Sequence, residues 1–195
     1  MSKIASVHAR PILDSRGEWT VEIQLITDNK QLITASVPQG KSTGSHEAHA
    51  VSAEQAVKNI QKIVNPRLKG RNPFEQREID EFLIKLDGTP TKRRLGANAI
   101  LGVSMAVARA GALEKKLPLW KHLRALSSLT VPKKAFPRFY INVINGGLHA
   151  GNNLDFQEYL IIPKTKTIVE SVRVGTTFYH ALGDYLSKTM DKTET

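Results

Sequence analysis

Trp19-Thr20-Val21-Glu22-Ile23-Gln24-Leu25 alternates apolar and polar side chains without interruption, the period-two pattern of a strand with one face on a core and the other toward water. Asp28-Asn29-Lys30 follows as a turn and an extended apolar run resumes over residues 32–37, so the two segments predict an antiparallel hairpin. Upstream, residues 4–13 predict a third strand. Downstream of a loop at 38–44 the period changes. Val51, Val57, Ile60 and Val64 recur at helical spacing, with Glu47, Glu54, Lys58 and Lys62 mostly opposite. Asn65-Pro66 is expected to end that helix, because a proline pushes the residue before it out of the helical region. A second helix is predicted over 74–86, closed by Asp87-Gly88-Thr89-Pro90. A third, over 95–113, is Ala-rich and apolar nearly all round, as a central helix would be, and a short fourth covers 119–126. Strands followed by a run of helices define an α+β domain.

A different pattern begins past Val131-Pro132-Lys133-Lys134, which reads as a linker. An apolar run at 139–144, the turn-rich Asn145-Gly146-Gly147 and a second apolar run at 159–162 precede a helix with Ile168, Val172, Gly175, Tyr179, Leu182 and Leu186 three and four apart. Two strands and one helix bury too little for an independent core. The expectation is that residues 135–195 open a larger domain and that the chain is truncated.

The composition, 195 residues with 41% hydrophobic and 24% charged, is that of a folded globular protein and excludes disordered and collagen-like classes. The absence of Cys excludes disulfide frameworks, thiolate zinc sites and cysteine nucleophiles. No apolar run of secretory type follows Met1, and the longest uncharged apolar-rich run, 95–108, falls short of the ~18 residues that suggest a membrane span. A soluble, cytoplasmic protein without a membrane partner is expected. The net charge of +10 raises the question of nucleic acid. Adjacent basic residues form only the small groups Lys92-Arg93-Arg94, Lys115-Lys116 and Lys133-Lys134, so a nucleic-acid partner is not expected, whereas a small anionic substrate would be drawn to the field.

Gly40-Lys41-Ser42-Thr43 imitates the end of a phosphate-binding loop, but Ala35 stands where that loop needs its first Gly and Pro38 lies inside it, which excludes nucleotide binding there. Two readings remain: a loop whose hydroxyls fold over a ligand, or a helix start with Ser45 as N-cap. Residues 145–153 form a polar, Gly-rich connection between two strands, the setting in which ligand groups usually sit. His149 in that loop is either a structural hydrogen-bond partner or a functional group. Glu158, between Phe156 and the apolar run at 159–162, would require a cation, metal or proton partner if buried.

Several motifs occur together and in order: Asp14-Ser15-Arg16-Gly17, Val37-Pro38-Gln39-Gly40-Lys41-Ser42-Thr43-Gly44, Leu86-Asp87-Gly88-Thr89, Leu95-Gly96-Ala97-Asn98-Ala99-Ile100-Leu101-Gly102-Val103-Ser104, Asn145-Gly146-Gly147 through His149, and Phe156-Gln157-Glu158. In this series the chain resembles the enolase family over essentially its whole length. The resemblance implies an α+β N-terminal capping domain over 1–134, with a three-stranded antiparallel sheet plus helices. Residues 135–195 would then be the opening segment of a modified β/α (TIM-like) barrel, a fold of ~250 residues. It implies a lyase, phosphopyruvate hydratase, that interconverts 2-phosphoglycerate and phosphoenolpyruvate in glycolysis with Mg2+ stabilising the enolate intermediate. By motif, Ser42 resembles the residue that ligates the second magnesium. His149, Gln157 and Glu158 resemble substrate-binding residues, with catalytic roles at His149 beside the phosphate and Glu158 beside the leaving hydroxyl. Arg10 and Glu22 match positions at the family's homodimer interface. The family's main magnesium carboxylates, its Lys base and its Glu acid belong to later barrel segments, so the chain alone is expected to be inactive. A non-catalytic binding module and one half of a split enzyme are the alternatives. The chain departs from the family pattern at Glu18-Trp19, where Asn-Pro is usual, and after His46-Glu47-Ala48, where a Leu-Arg-Asp-Gly stretch is missing.

Overall fold

Strand β2 (Trp19–Thr27) runs between β1 (Ile4–Leu13) and β3 (Leu32–Ser36) in an antiparallel sheet of order β1-β2-β3. Val21, Ile23 and Leu25 are fully buried on one face, while Glu22 and Gln24 lie on the other, so the alternation read from the sequence holds. In β1 the buried residues are Ile4, Val7 and Ala9, spaced three and then two. A bulge between Ile4 and Ser6 inserts one residue and flips the parity of the strand. The computed structural model describes residues 2–40, 44–127 and 137–189. The chain divides into two compact units, 1–130 and 131–195. The linker reading at 131–134 lies outside the described residues.

Helix α1 (Ala53–Asn59) is capped by Ser52, whose hydroxyl accepts the Gln55 N–H at 3.2 Å, and not by Ser45. The backbone ahead of it is committed elsewhere. His49 donates to the Thr91 carbonyl and accepts from the Ala97 N–H, and both backbone groups of Val51 bond the Asn98 side chain. Groups paired at that range cannot join a helical ladder. Nor does Asn65-Pro66 end the helix: α1 passes through a π turn (Ile60–Val64) into α2 (Asn65–Leu68). The wider register carries the Asn65 N–H to the Ile60 carbonyl, and Pro66 falls in the first turn of the new segment, where a missing N–H costs little. The Asn65 side chain accepts the Val7 N–H of β1 at 2.8 Å.

Helices α3 (Gln76–Asp87), α4 (Ala97–Glu114) and α5 (Leu119–Leu126) complete the first unit. Helix α4 lies on β2 and β3 with Ala99, Val103, Ala106, Val107 and Ala110 fully buried, and α3 and α5 pack on α4. The approach to the sheet is set by Gly102, where a Cβ would sit 2.6 Å from Ile23 and 2.9 Å from Val37. The Leu86-Asp87-Gly88-Thr89 motif is a staple between α3 and the segment that leads into α4. The buried Asp87 carboxylate accepts the Leu95 N–H at 2.6 Å, the Thr89 N–H at 2.9 Å and the Thr89 hydroxyl at 2.5 Å. Burial pushes this carboxyl up, but the hydrogen bonds from Leu95 and Thr89 outweigh it and hold the group below 3.8. On α5, His122 is fully buried against Gly111, and neither ring nitrogen has a hydrogen-bond partner. Burial, and then the charge of Lys115, pushes this imidazole below 6.5.

In the second unit β4 (Ile141–Asn145) pairs antiparallel with β5 (Glu158–Ile161), Ile141 opposite Ile161 and Asn145 opposite Glu158. Helix α6 (Ile168–Thr189) brings Gly175 against Ile141, so close that a Cβ would meet the Ile141 Cδ1 at 2.3 Å. Among the described residues of this unit only Gly146, Ser171 and Gly175 are buried. Among the described residues no large apolar side chain of this unit is fully buried, so the hairpin and helix do not close a core of their own. No described helix is long and apolar enough to cross a membrane.

Candidate functional site

The connection from β4 to β5 doubles back tightly on glycine. Gly146 donates its N–H to the Gln157 carbonyl at 3.0 Å and Gly147 donates to Leu154 at 2.8 Å. A Cβ on Gly146 would lie 2.3 Å from the Phe156 carbonyl, and Gly147 takes a φ of +53°. Only residues without a side chain pass through this turn unstrained. A 3-10 turn (Gly147–His149) follows, anchored by the His149 N–H on the Gly146 carbonyl at 3.1 Å. Asn152 holds the far side of the loop, with its Nδ2 donating to the Asn145 carbonyl at 2.9 Å and its Oδ1 accepting from Leu154.

This loop carries His149 back over the start of β5, where Gln157 and Glu158 stand. The Gln157 Nε2 donates to the His149 Nε2 at 2.9 Å. With Nε2 as acceptor, the ring proton is on Nδ1, which faces the Glu158 Oε1 at 3.5 Å. That separation is longer than a good hydrogen bond and marks a close polar contact between the ring and the carboxylate. The three residues singled out from the sequence are therefore one constellation. Glu158 does not meet the condition of burial under which it would need a cation, metal or proton partner: its side chain is 43% exposed, against 27% for His149, on a strand whose residues are exposed from Glu158 to Leu160. The trio presents one imidazole, one carboxylate and one amide to solvent, a set able to offer hydrogen-bonding groups to a ligand and to give or take a proton at the carboxylate.

Ser42 lies outside the described residues, but both stems of its segment are fixed. On one side Arg16, tied to Asp14 at 2.9 Å, donates from Nη2 to the Gln39 carbonyl at 2.8 Å. On the other, the Glu47 carboxylate accepts the Gly44 N–H at 3.1 Å, ahead of the His49 and Val51 bonds to the α4 region. Nothing in the local sequence of Arg16 and Asn98 signals the bonds they make to Gln39 and to Val51. Arg10 and Glu22, directly opposite on β1 and β2, pair with each other at 2.8 Å.

The described residues do not by themselves make a site for magnesium, the ion implied by resemblance. Among the described residues no three His, Asp or Glu side chains gather as a cation site, and the His149–Glu158 pair supplies too few oxygens for an octahedral shell.

A three-stranded antiparallel sheet with helices forms one unit, and a hairpin with a helix, carrying the His149–Glu158 pair, begins a second. Residues 4–123 match the family model described as enolase, N-terminal domain, and residues 133–195 match that of the enolase C-terminal TIM barrel domain. The chain belongs to the enolase family. Among curated relatives named enolase, that of Methanocaldococcus jannaschii is 46% identical over 191 residues, covering 92% of this chain and 44% of the relative. The protein of Methanopyrus kandleri is 42% identical, covering 96% of this chain and 45% of the relative. The protein of Methanosarcina acetivorans is 43% identical, covering 99% and 46%. The chain spans about half the length of the curated relatives it matches.

Proposed function

We propose that the protein works as a lyase of the phosphopyruvate hydratase type, converting 2-phosphoglycerate reversibly to phosphoenolpyruvate in the cytoplasm, within a homodimer. Residues 1–134 serve as the cap and 135–195 as the first barrel segment. The observation that carries this reading is the meeting of His149, Gln157 and Glu158 on one face of the β4–β5 connection. In it, His149 stands beside the substrate phosphate as a polar group on that side of the site. Gln157 holds that ring by its Nε2. Glu158 turns Oε1 to His149 and leaves Oε2 to meet the leaving hydroxyl, protonating it or holding the water it becomes. Magnesium would neutralise the substrate carboxylate during proton removal. Ser42 would contribute one oxygen to it, and the carboxylates that hold it would come from the part of the relatives that this chain does not span.

The test joins residues 1–195 to the remaining barrel of the Methanocaldococcus jannaschii relative and follows phosphoenolpyruvate formation by absorbance. The joined protein is expected to turn over 2-phosphoglycerate only with magnesium, while the 195-residue chain alone is inactive. Glu158→Gln is expected to lower kcat about a hundredfold or more, as loss of a general acid does. A folded joined protein without turnover sinks the reading.

A further inference from the structure

An irregularity in β4 rearranges its polar residues. The pairing with β5 passes from Asn142 opposite Leu160 to Ile144 opposite Tyr159, so Val143 is an extra residue with no partner across the ladder. In a regular strand residues three apart point to opposite faces, and the extra residue returns them to the same one. Asn142 and Asn145 accordingly meet side chain to side chain, the Asn142 Nδ2 donating to the Asn145 Oδ1 at 2.5 Å. Directly opposite Asn145 on β5 stands Glu158, and such cross-strand partners share a face with Cβ atoms about 4.5–5.5 Å apart. Ile141, one residue before Asn142 and so on the other face, is the residue that meets Gly175 of α6. Asn142, Asn145 and Glu158 therefore share the face turned away from α6, and all three are exposed. The Asn145 carbonyl accepts from the Asn152 Nδ2 at 2.9 Å, which fixes the backbone at this point. With both oxygens taken, the Asn145 Nδ2 is left with two hydrogens and no partner among the described residues.

We propose that Asn145 is a further catalytic residue, whose amide donates a hydrogen bond to the leaving hydroxyl, and that Asn142 is the positioning residue that orients this amide. The inference rests on the reading of Glu158 as the group beside that hydroxyl. As the carbon–oxygen bond breaks, its electron pair passes to the oxygen, and negative charge grows there until a carboxylic acid at that end of the site supplies the proton that completes water. A donor fixed in advance and aimed at charge that develops only during the reaction lowers the barrier without tightening the ground state. An amide N–H suits the place because, unlike a second carboxylate opposite Glu158, it adds no repulsion to the departing oxygen. Asn142 supplies the orientation. With Oδ1 tied to Asn142, the Asn145 amide presents its nitrogen and not its oxygen. Sequence spacing hides the pair, since Asn142 and Asn145 fall on opposite faces of a regular strand and only the bulge at Val143 brings them together.

The experiment measures kcat and KM for 2-phosphoglycerate in residues 1–195 joined to the remaining barrel of the Methanocaldococcus jannaschii relative, with urea unfolding as the check on each variant. Asn145→Ala is expected to lower kcat roughly ten- to a hundredfold while KM stays within about threefold, the split of a bond made in the transition state. Asn142→Ala should lower kcat less, by about two- to fivefold, and Asn142→Ala/Asn145→Ala should match Asn145→Ala within about twofold, because Asn142 acts only through Asn145. Where Asn145→Ala does not fold, Asn145→Leu, of similar volume, takes its place. Two residues that merely brace the hairpin would instead lower the urea midpoint and multiply their losses. The inference is overturned by a folded Asn145 variant whose kcat stays within about twofold of the parent, by a loss confined to KM, or by losses that multiply in the double variant. Each of those results leaves the parent's turnover, and with it the lyase reading, intact. A folded parent without turnover overturns the lyase reading and this inference together.

Discussion

Asp87 concentrates three hydrogen bonds on one buried carboxylate, and the Leu95 N–H it accepts is itself fully enclosed. Asp87→Ala strands that donor, so a loss of about 2–3 kcal/mol is expected, read as a lower denaturation midpoint in urea with unchanged slope. Its pH signature follows from its depressed position. The folded state holds its proton more weakly than the unfolded chain, so the stabilisation is present above 3.8 and is lost as pH falls through the folded value beneath it. At this same scale the candidate site was partly legible. His149 stood out on a Gly-rich loop and Glu158 beside an apolar run, while Gln157 entered with the family resemblance, whereas the roles of Asn98, Asn152 and Arg16 depend on backbone groups distant in sequence or on the turn of a loop.

Helix α4 is the element on which the first unit is assembled, and its contact distance to β2 depends on Gly102. Gly102→Ala puts a methyl inside the contact radius of Ile23 and Val37, and a loss of about 1–3 kcal/mol is expected from thermal or urea unfolding. Helix α5 docks through His122, which resists protonation inside the fold. The unfolded chain takes up that proton near 6.5 and the folded one only at lower pH, so stability falls as pH drops through 6.5 toward the folded value. Tm measured from pH 7.5 to 5 is expected to decline in this window, and His122→Leu to flatten the decline. An unchanged slope in the folded variant would show that the buried ring is not its source. Element types were legible throughout, because periods of two and 3.6 are local. The start and end of α1 were not, because a distant Asn98 claims Val51 and a π turn lets the helix pass Pro66.

Across the whole molecule, burial is unevenly shared. The first unit encloses a continuous core of aliphatic side chains from the sheet and four helical segments, while the described part of the second encloses no large apolar residue. Local opening is cheapest where few apolar contacts are lost. Limited proteolysis of the 195-residue chain is therefore expected to clip the β4–β5–α6 region first and leave a resistant fragment ending near residue 130, identified by intact mass. A fragment that retains α6 would contradict this ordering. The same imbalance is why joining the rest of a relative's barrel is the informative activity test: it supplies apolar cover as well as reacting groups.

The amino-acid sequence by itself determined the strand and helix types, the change of pattern past residue 130, the glycine turn at 146–147 and the family, because each rests on local periodicity or on residue identity at short spacing. Only the tertiary structure decided the parity of β1, the boundaries of the first helix, the pairing of Arg10 with Glu22 and the approach of His149 to Glu158 across the loop. Those features are set by which distant groups satisfy a given donor or fill a given gap, and that choice exists only once the chain has closed on itself.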